Sequence, residues 1–271
     1  MRVVEFACRK GRRPFAFALA TLPLAPVAAF AGAWTLPQGE GQIIETLSGW
    51  LGSGAPHGGS GPAPNESRVE AQTYGEYGVY DRLTLFGDIS AERYALTPPT
   101  RDVYDGLDYS QIGLRGRLWS NDAWVFSLEA SAFAPGARDA SRPAQAGNTG
   151  GAGEFRGLAG YNFNLGAMPA FLDAELGYRL RSAGPPDEWH ADLTLGVKAT
   201  PRWMGLAQVF NSISQGAGTP GFSAWSSHTG EVSVVYRIDE RWSVQLGAFA
   251  TFATVNTNSE RGVMAAVWRR F

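Results

Sequence analysis

Glu70-Ala71-Gln72-Thr73-Tyr74-Gly75-Glu76-Tyr77-Gly78-Val79, followed without a gap by Tyr80-Asp81-Arg82 and Leu83-Thr84-Leu85-Phe86-Gly87-Asp88-Ile89-Ser90, is the stretch that decides the fold. Successive side chains on a strand point to opposite faces. Val69, Ala71, Thr73, Gly75, Tyr77 and Val79 therefore share one face, and Glu70, Gln72, Tyr74 and Glu76 share the other. The join at Tyr80-Asp81-Arg82 has room only for a tight turn, so the two halves are adjacent antiparallel strands.

The same rhythm runs outward to residue 41 and to residue 271. Twelve segments are expected, near 41–52, 67–79, 82–95, 108–119, 123–134, 153–164, 169–182, 188–199, 203–213, 225–238, 241–252 and 259–271, with ten and fourteen as the bounds. Alternate connections are short and carry turn formers: Ser120-Asn121-Asp122, Leu165-Gly166-Ala167-Met168, Pro201-Arg202 and Ile238-Asp239-Glu240. The others, 53–66, 96–107 and 135–152 among them, are long, polar and rich in Gly, Pro and Ser, which places them in solvent. An even strand count with alternating short turns and long loops describes a closed antiparallel transmembrane β-barrel.

Composition agrees with such a barrel. The 271 residues carry a net charge of -2, with 18% charged residues and nine tryptophans, so no polybasic surface calls for nucleic acid. Mean hydropathy is only -0.15. A barrel tolerates this because only every second residue meets lipid. Arg2, Lys10, Arg12 and Arg13 precede an apolar run from Phe15 to Phe30, and Ala29-Phe30-Ala31 fits a leader-peptidase site. Residues 1–31 are read as a cleaved signal peptide and 32–271 as the barrel, with 32–40 an irregular lead-in on the periplasmic side. The single cysteine, Cys8, falls in the leader, leaving no disulfide, thiolate nucleophile or cysteine-ligated metal in the processed chain.

Alternation alone does not say which face meets lipid. Inward-facing charge is expected, since a charge in hydrocarbon costs roughly 2–4 kcal/mol at mid-depth. Tyr80, Trp119, Trp124, Phe163, Phe171, Trp203, Tyr236 and Trp242 gather beside the short turns and suggest an interfacial girdle. The last strand, Arg261-Gly262-Val263-Met264-Ala265-Ala266-Val267-Trp268-Arg269-Arg270-Phe271, resembles the final strand of Gram-negative outer-membrane proteins. The resemblance implies a barrel-assembly signal at Val263, Ala265, Val267 and Phe271, with outer-membrane lipid and the barrel-assembly machinery as partners. Arg269 departs from the pattern, where an aromatic or apolar residue is usual.

The inward set mixes signs. Arg115, Arg117, Arg179 and Arg181 are expected to form a basic ladder against Glu129, Asp173 and Glu175, as a constriction or as salt-bridge packing of the lumen. A passive channel for small solutes is the first expectation; a structural or adhesive barrel, its lumen plugged and its loops functional, is the second. A third rests on Ser226 and His228, which resemble part of the Ser/His/Asn set of outer-membrane phospholipases, although Gly230 stands where that pattern needs Ser. No cofactor or metal is expected. Asp102 and Asp105 in the loop 96–107 lack the ligand number that calcium requires.

Overall fold

A computed structural model describes residues 32–53, 65–98, 101–145 and 149–271. The signal-peptide reading of 1–31 and the loop reading of 54–64 lie outside the described residues. The described chain is all strand and turn: β1 (Gly41–Ser53), β2 (Glu66–Tyr80), β3 (Leu83–Leu96), β4 (Asp102–Leu107), β5 (Ser110–Ser120), β6 (Trp124–Ala134), β7 (Ala152–Leu165), β8 (Met168–Arg181), β9 (Glu188–Lys198), β10 (Trp203–Ser214), β11 (Ser226–Arg237), β12 (Trp242–Val255) and β13 (Ser259–Arg270).

Apart from β4 and β5, which both pair with β3, each strand pairs antiparallel with its sequence neighbours, and β1 pairs with both β2 and β13. The ring is thereby closed, and only the short β4 has a partner on one side alone, so the crossing strands meet the condition for spanning lipid. Gly41 and Phe271 exchange backbone hydrogen bonds of 2.8 and 3.0 Å at the seam. The thirteen strands make a twelve-stranded barrel, because β4 and β5 are one crossing strand with a bulge. β3 pairs Asp88 with Gln111 and Ala91 with Leu107, so one residue more separates the partners on the β4–β5 side. This corrects the reading of 96–107 as loop: Asp102–Leu107 extends the barrel wall beyond β5. The prolines at 98 and 99 and the Asp-Gly pair at 105–106 look like turn chemistry and mask a six-residue strand.

Burial is inverted relative to a soluble barrel. Ile112, Leu246 and Val263 are 61%, 67% and 64% exposed on the outer face, whereas Glu76 and Arg115 are 4% exposed within. In water, such a contiguous apolar exterior would be intolerable; it is the surface of a barrel solvated by lipid. Tyr80, Trp119, Trp124, Trp203 and Trp242 are exposed beside the short turns, with Trp203 against Tyr236 at 4.6 Å and Trp124 against Tyr161 at 4.3 Å. Phe171 is a correction: it shares a face with Asp173 and Glu175 and is buried in the lumen, outside the girdle.

Val263, Ala265 and Val267 face outward and Phe271 is exposed at the rim. Arg269 also faces outward and lies over the Trp242 ring at 5.5 Å, a position from which a guanidinium reaches the interface. Glu45 departs from the inward rule, facing outward with its carboxylate accepting from Thr73 Oγ1 at 2.7 Å.

Above the lipid-facing band, Asp102 anchors the segment 135–145. Its carboxylate accepts from Arg142 Nε at 3.1 Å and from Ala144 N at 3.1 Å, while Arg142 Nη2 also reaches Val103 O at 2.7 Å. These donors hold the Asp102 carboxyl below the ordinary carboxylate range. A lowered folded pKa means the latch is intact above the unfolded value of about 3.9 and is lost as pH falls through the folded value. Arg142→Ala is accordingly expected to speed trypsin cleavage after Arg138 several-fold at pH 8, with barrel migration on a gel unchanged; unaltered cleavage would show that the latch does not hold the loop.

Candidate functional site

The lead-in residues 32–40, expected as an irregular segment on the periplasmic side, enter the lumen from the turn end of the barrel. Ala33 and Leu36 are buried, and the wall supplies hydrogen-bond partners to several backbone groups of the segment. Ala33 N donates to Asp173 Oδ1 at 2.9 Å, and Ser127 Oγ donates to Ala33 O at 2.5 Å. Leu36 N donates to Thr84 Oγ1 at 2.9 Å, and Gln38 N to Asp81 Oδ1 at 3.0 Å. A turn from Pro37 to Glu40, closed at 3.1 Å, brings the chain to the start of β1. Gly39 occupies it with φ of 87°, a conformation open to glycine. Gly78 lies so close beneath that turn that a Cβ would stand 2.0 Å from Pro37 O.

Trp34 is the wedge of this plug. Its ring meets Phe171 edge-on at 5.7 Å and packs against a buried group of Phe171, Leu206, Val235, Ala266 and Trp268. On the other side it packs against Val125 and Leu158. β10 turns Met204 and Leu206 inward, where they join Phe171, Val235, Ala266 and Trp268 in the apolar bed that receives Trp34.

Arg115 sits immediately above. Its side chain is 5% exposed, with Nε 3.0 Å from Glu129 Oε2, Nη1 3.2 Å from Glu76 Oε2, and Nη1 donating to Trp34 O at 3.4 Å. Tyr74 and Gln42 complete the shell around Glu76 at 3.2 and 3.4 Å. One guanidinium thus joins three strands to the plug, using the fork geometry that suits arginine.

A second cluster lies toward the long-loop end. Arg156 Nη1 reaches Glu175 at 2.9 Å and Asp192 at 2.6 Å, and its Nε pairs with Glu154. Arg179 reaches Glu154 at 2.7 Å and Arg181 reaches Glu188 at 2.6 Å. A third group joins Arg68 to Glu92 and, at 2.8 Å, to Asp108. Several guanidiniums lie over lumen aromatics: Arg68 over Trp50 at 5.1 Å and Tyr94 at 5.5 Å, Arg179 over Phe133 at 4.2 Å, and Arg181 over Tyr109 at 5.3 Å. Both signs of charge and aromatic faces therefore line the wall together.

The expected single ladder is divided among these groups. Arg115 meets Glu129; Arg179 and Arg181 meet Glu154 and Glu188 instead; Glu175 meets Arg156. Asp173 serves the plug, and Arg117 lies at the turn rim, donating to Asp81 O at 2.9 Å. Face parity alone marks Glu188 as inward through His190 and Asp192, a signal present in the sequence but unused. Nothing local in 32–40 marks it as an occupant of the lumen.

The two histidines among the described residues have separate partners. His228 Nδ1 is 2.8 Å from Asn211 Oδ1. His190 lies in the lumen between Glu188 at 3.2 Å and Ser212 Oγ at 3.2 Å. Asp102 and Asp105, the acids weighed for calcium, are engaged by Arg142 and by Arg93 at 3.5 Å respectively.

Comparison with known proteins bears on both fold and family. The family described as "Putative MetA-pathway of phenol degradation" matches residues 62–267. Among solved structures, an outer membrane channel from Pseudomonas putida F1 superposes with a TM-score of 0.73 at 13% identity, covering 88% of this chain and 98% of that one. The translocator domain of the autotransporter NalP from Neisseria meningitidis gives 0.54 at 10% identity, covering 87% and 90%. The NanC porin gives 0.51 at 8% identity, covering 82% and 98%. At such identities the likeness is one of fold. No curated protein matches the sequence.

Proposed function

This chain belongs to the family described as "Putative MetA-pathway of phenol degradation", and from that membership and the barrel we propose that it is an outer-membrane channel for small solutes, exported by its leader and inserted by the barrel-assembly machinery. The observation that carries this reading is the inverted burial: a charged lumen inside an apolar exterior, narrowed by one short segment. A lumen and exterior of this kind suit passage of solutes across lipid.

Small aromatic compounds related to phenol are the first solutes to test. The family description supports them, as do the rings of Trp50, Tyr94, Tyr109 and Phe133 along the lumen. Because both signs of charge line the wall, weak ion selectivity is expected, with a reversal potential near zero in a salt gradient. The plug favours the second reading, a closed barrel acting through its loops. Planar-bilayer conductance of the purified protein separates them: discrete small steps support the channel, and silent insertion of a folded barrel overturns it. Liposome swelling with phenolic and non-aromatic solutes of equal size tests the solute class, and equal rates would remove the aromatic preference.

The active-site alternative rests on Ser226 and His228, with Asn211 beside His228 Nδ1 and Gly230 where the phospholipase pattern needs Ser. Phospholipid hydrolysis that disappears in His228→Ala would revive it.

A further inference from the structure

We propose that Asp173 is the binding site for the chain's own α-ammonium, created at Gly32 when the leader is removed, and that this ion pair docks the plug. The proposal rests on the signal-peptide reading above. Peptide hydrolysis breaks the Ala31–Gly32 bond; water supplies the oxygen of the new Ala31 carboxylate and a proton to the new Gly32 amine, which takes a second proton near neutral pH.

The geometry carries the assignment. Gly32 is buried inside the lumen, and its backbone stands over the Asp173 carboxylate so closely that a Cβ would lie 2.2 Å from Oδ2 and 2.6 Å from Oδ1. Its nitrogen is about 2.5 Å from that Cβ position by covalent geometry, hence within about 4.7 Å of Oδ2. Only glycine fits this contact. The next residue is already fixed: Ala33 N donates to Asp173 Oδ1 and Ala33 O accepts from Ser127.

Asp173 is 2% exposed and its carboxyl lies against that of Glu175; among the described residues no cation stands within ion-pair distance of it, whereas Glu129 and Glu175 each have an arginine. A desolvated carboxylate without a counter-charge is unfavourable, and an ammonium at Gly32 provides one.

The test uses the secreted, processed protein and needs no conduction, so its outcome is independent of the channel reading. After cleavage at Ala31 only two amines remain, the Gly32 α-amine and Lys198. Mass spectrometry defines the N-terminus, and N-hydroxysuccinimide acetate at pH 8 reports amine reactivity in the folded barrel. A free α-amine, with its lower pKa, reacts faster than a lysine; here Gly32 is expected to react more slowly than Lys198. Asp173→Asn keeps an acceptor for Ala33 N but removes the charge, and is expected to raise Gly32 labelling at least tenfold, well beyond the rise in Ser127→Ala. Faster labelling of Gly32 than Lys198 in the unmodified protein, equal rises in the two variants, or an N-terminus elsewhere overturns the proposal.

Discussion

A chain whose mature form starts at Gly41 is expected to conduct several times more current than one starting at Gly32. The segment 32–40 contributes no strand, so the ring from β1 to β13, closed at Gly41 and Phe271, remains intact without it. What is lost is Trp34, the buried backbone of Ala33 and Leu36, and the hydrogen bonds from Ser127, Thr84 and Asp173 that hold them across the lumen. Exposing Phe171, Leu206 and Trp268 to lumen water is unfavourable, at about 25 cal/mol per Å² of apolar surface, yet the closed wall is held by backbone pairing between its strands. Single-channel recording of the two forms checks this. Equal conductance would mean that solute passes elsewhere in the lumen, and that the plug is a structural filler.

Arg115→Met should destabilise the barrel interior more than any other single change in the charged wall. Glu76 and Glu129 would be left buried without their shared cation, and breaking a buried ion pair by removing one partner costs about 3–5 kcal/mol. The expected result is a marked fall in the temperature at which the folded form converts to the unfolded form on a gel. The triple variant Glu76→Gln, Arg115→Met, Glu129→Gln should recover most of that loss, because neutral partners no longer need the cation. If the triple variant melts as low as the single one, packing of the guanidinium against Phe86 at 5.4 Å and Trp34, and not charge balance, is what Arg115 provides.

Much of the fold could be read directly because alternation is a local property. In β2, the stripe of Glu70, Gln72, Tyr74 and Glu76 lies within one strand, and the parity of each residue decides its face wherever the pairing falls. The same parity would have sent Phe171 inward with Asp173, but proximity to a turn drew it into the girdle instead. β4 escaped because it is short and flanked by turn formers, and its identity depends on a bulge that only pairing with β3 reveals.

The candidate site was less legible. Arg115 and Glu129 lie opposite each other in neighbouring strands, so hairpin register brings them together. Arg115 and Glu76 belong to β5 and β2, strands separated in the ring by β3, and meet only because the barrel curves inward. Arg156 reaches across β8 to Asp192 on β9 for the same reason.

Amino-acid order by itself determined the all-β class, the approximate strand count, the inward face of each well-alternating strand and the sidedness of the loops, since these follow from a period of two and from turn chemistry. Only the tertiary structure decided what fills the lumen. A nine-residue segment without periodicity has no preferred location until a closed wall surrounds it. Its destination was set by a pocket assembled from β3, β6, β8, β10, β11 and β13, whose Thr84, Ser127, Asp173 and apolar lining converge on the segment from positions far apart in the chain.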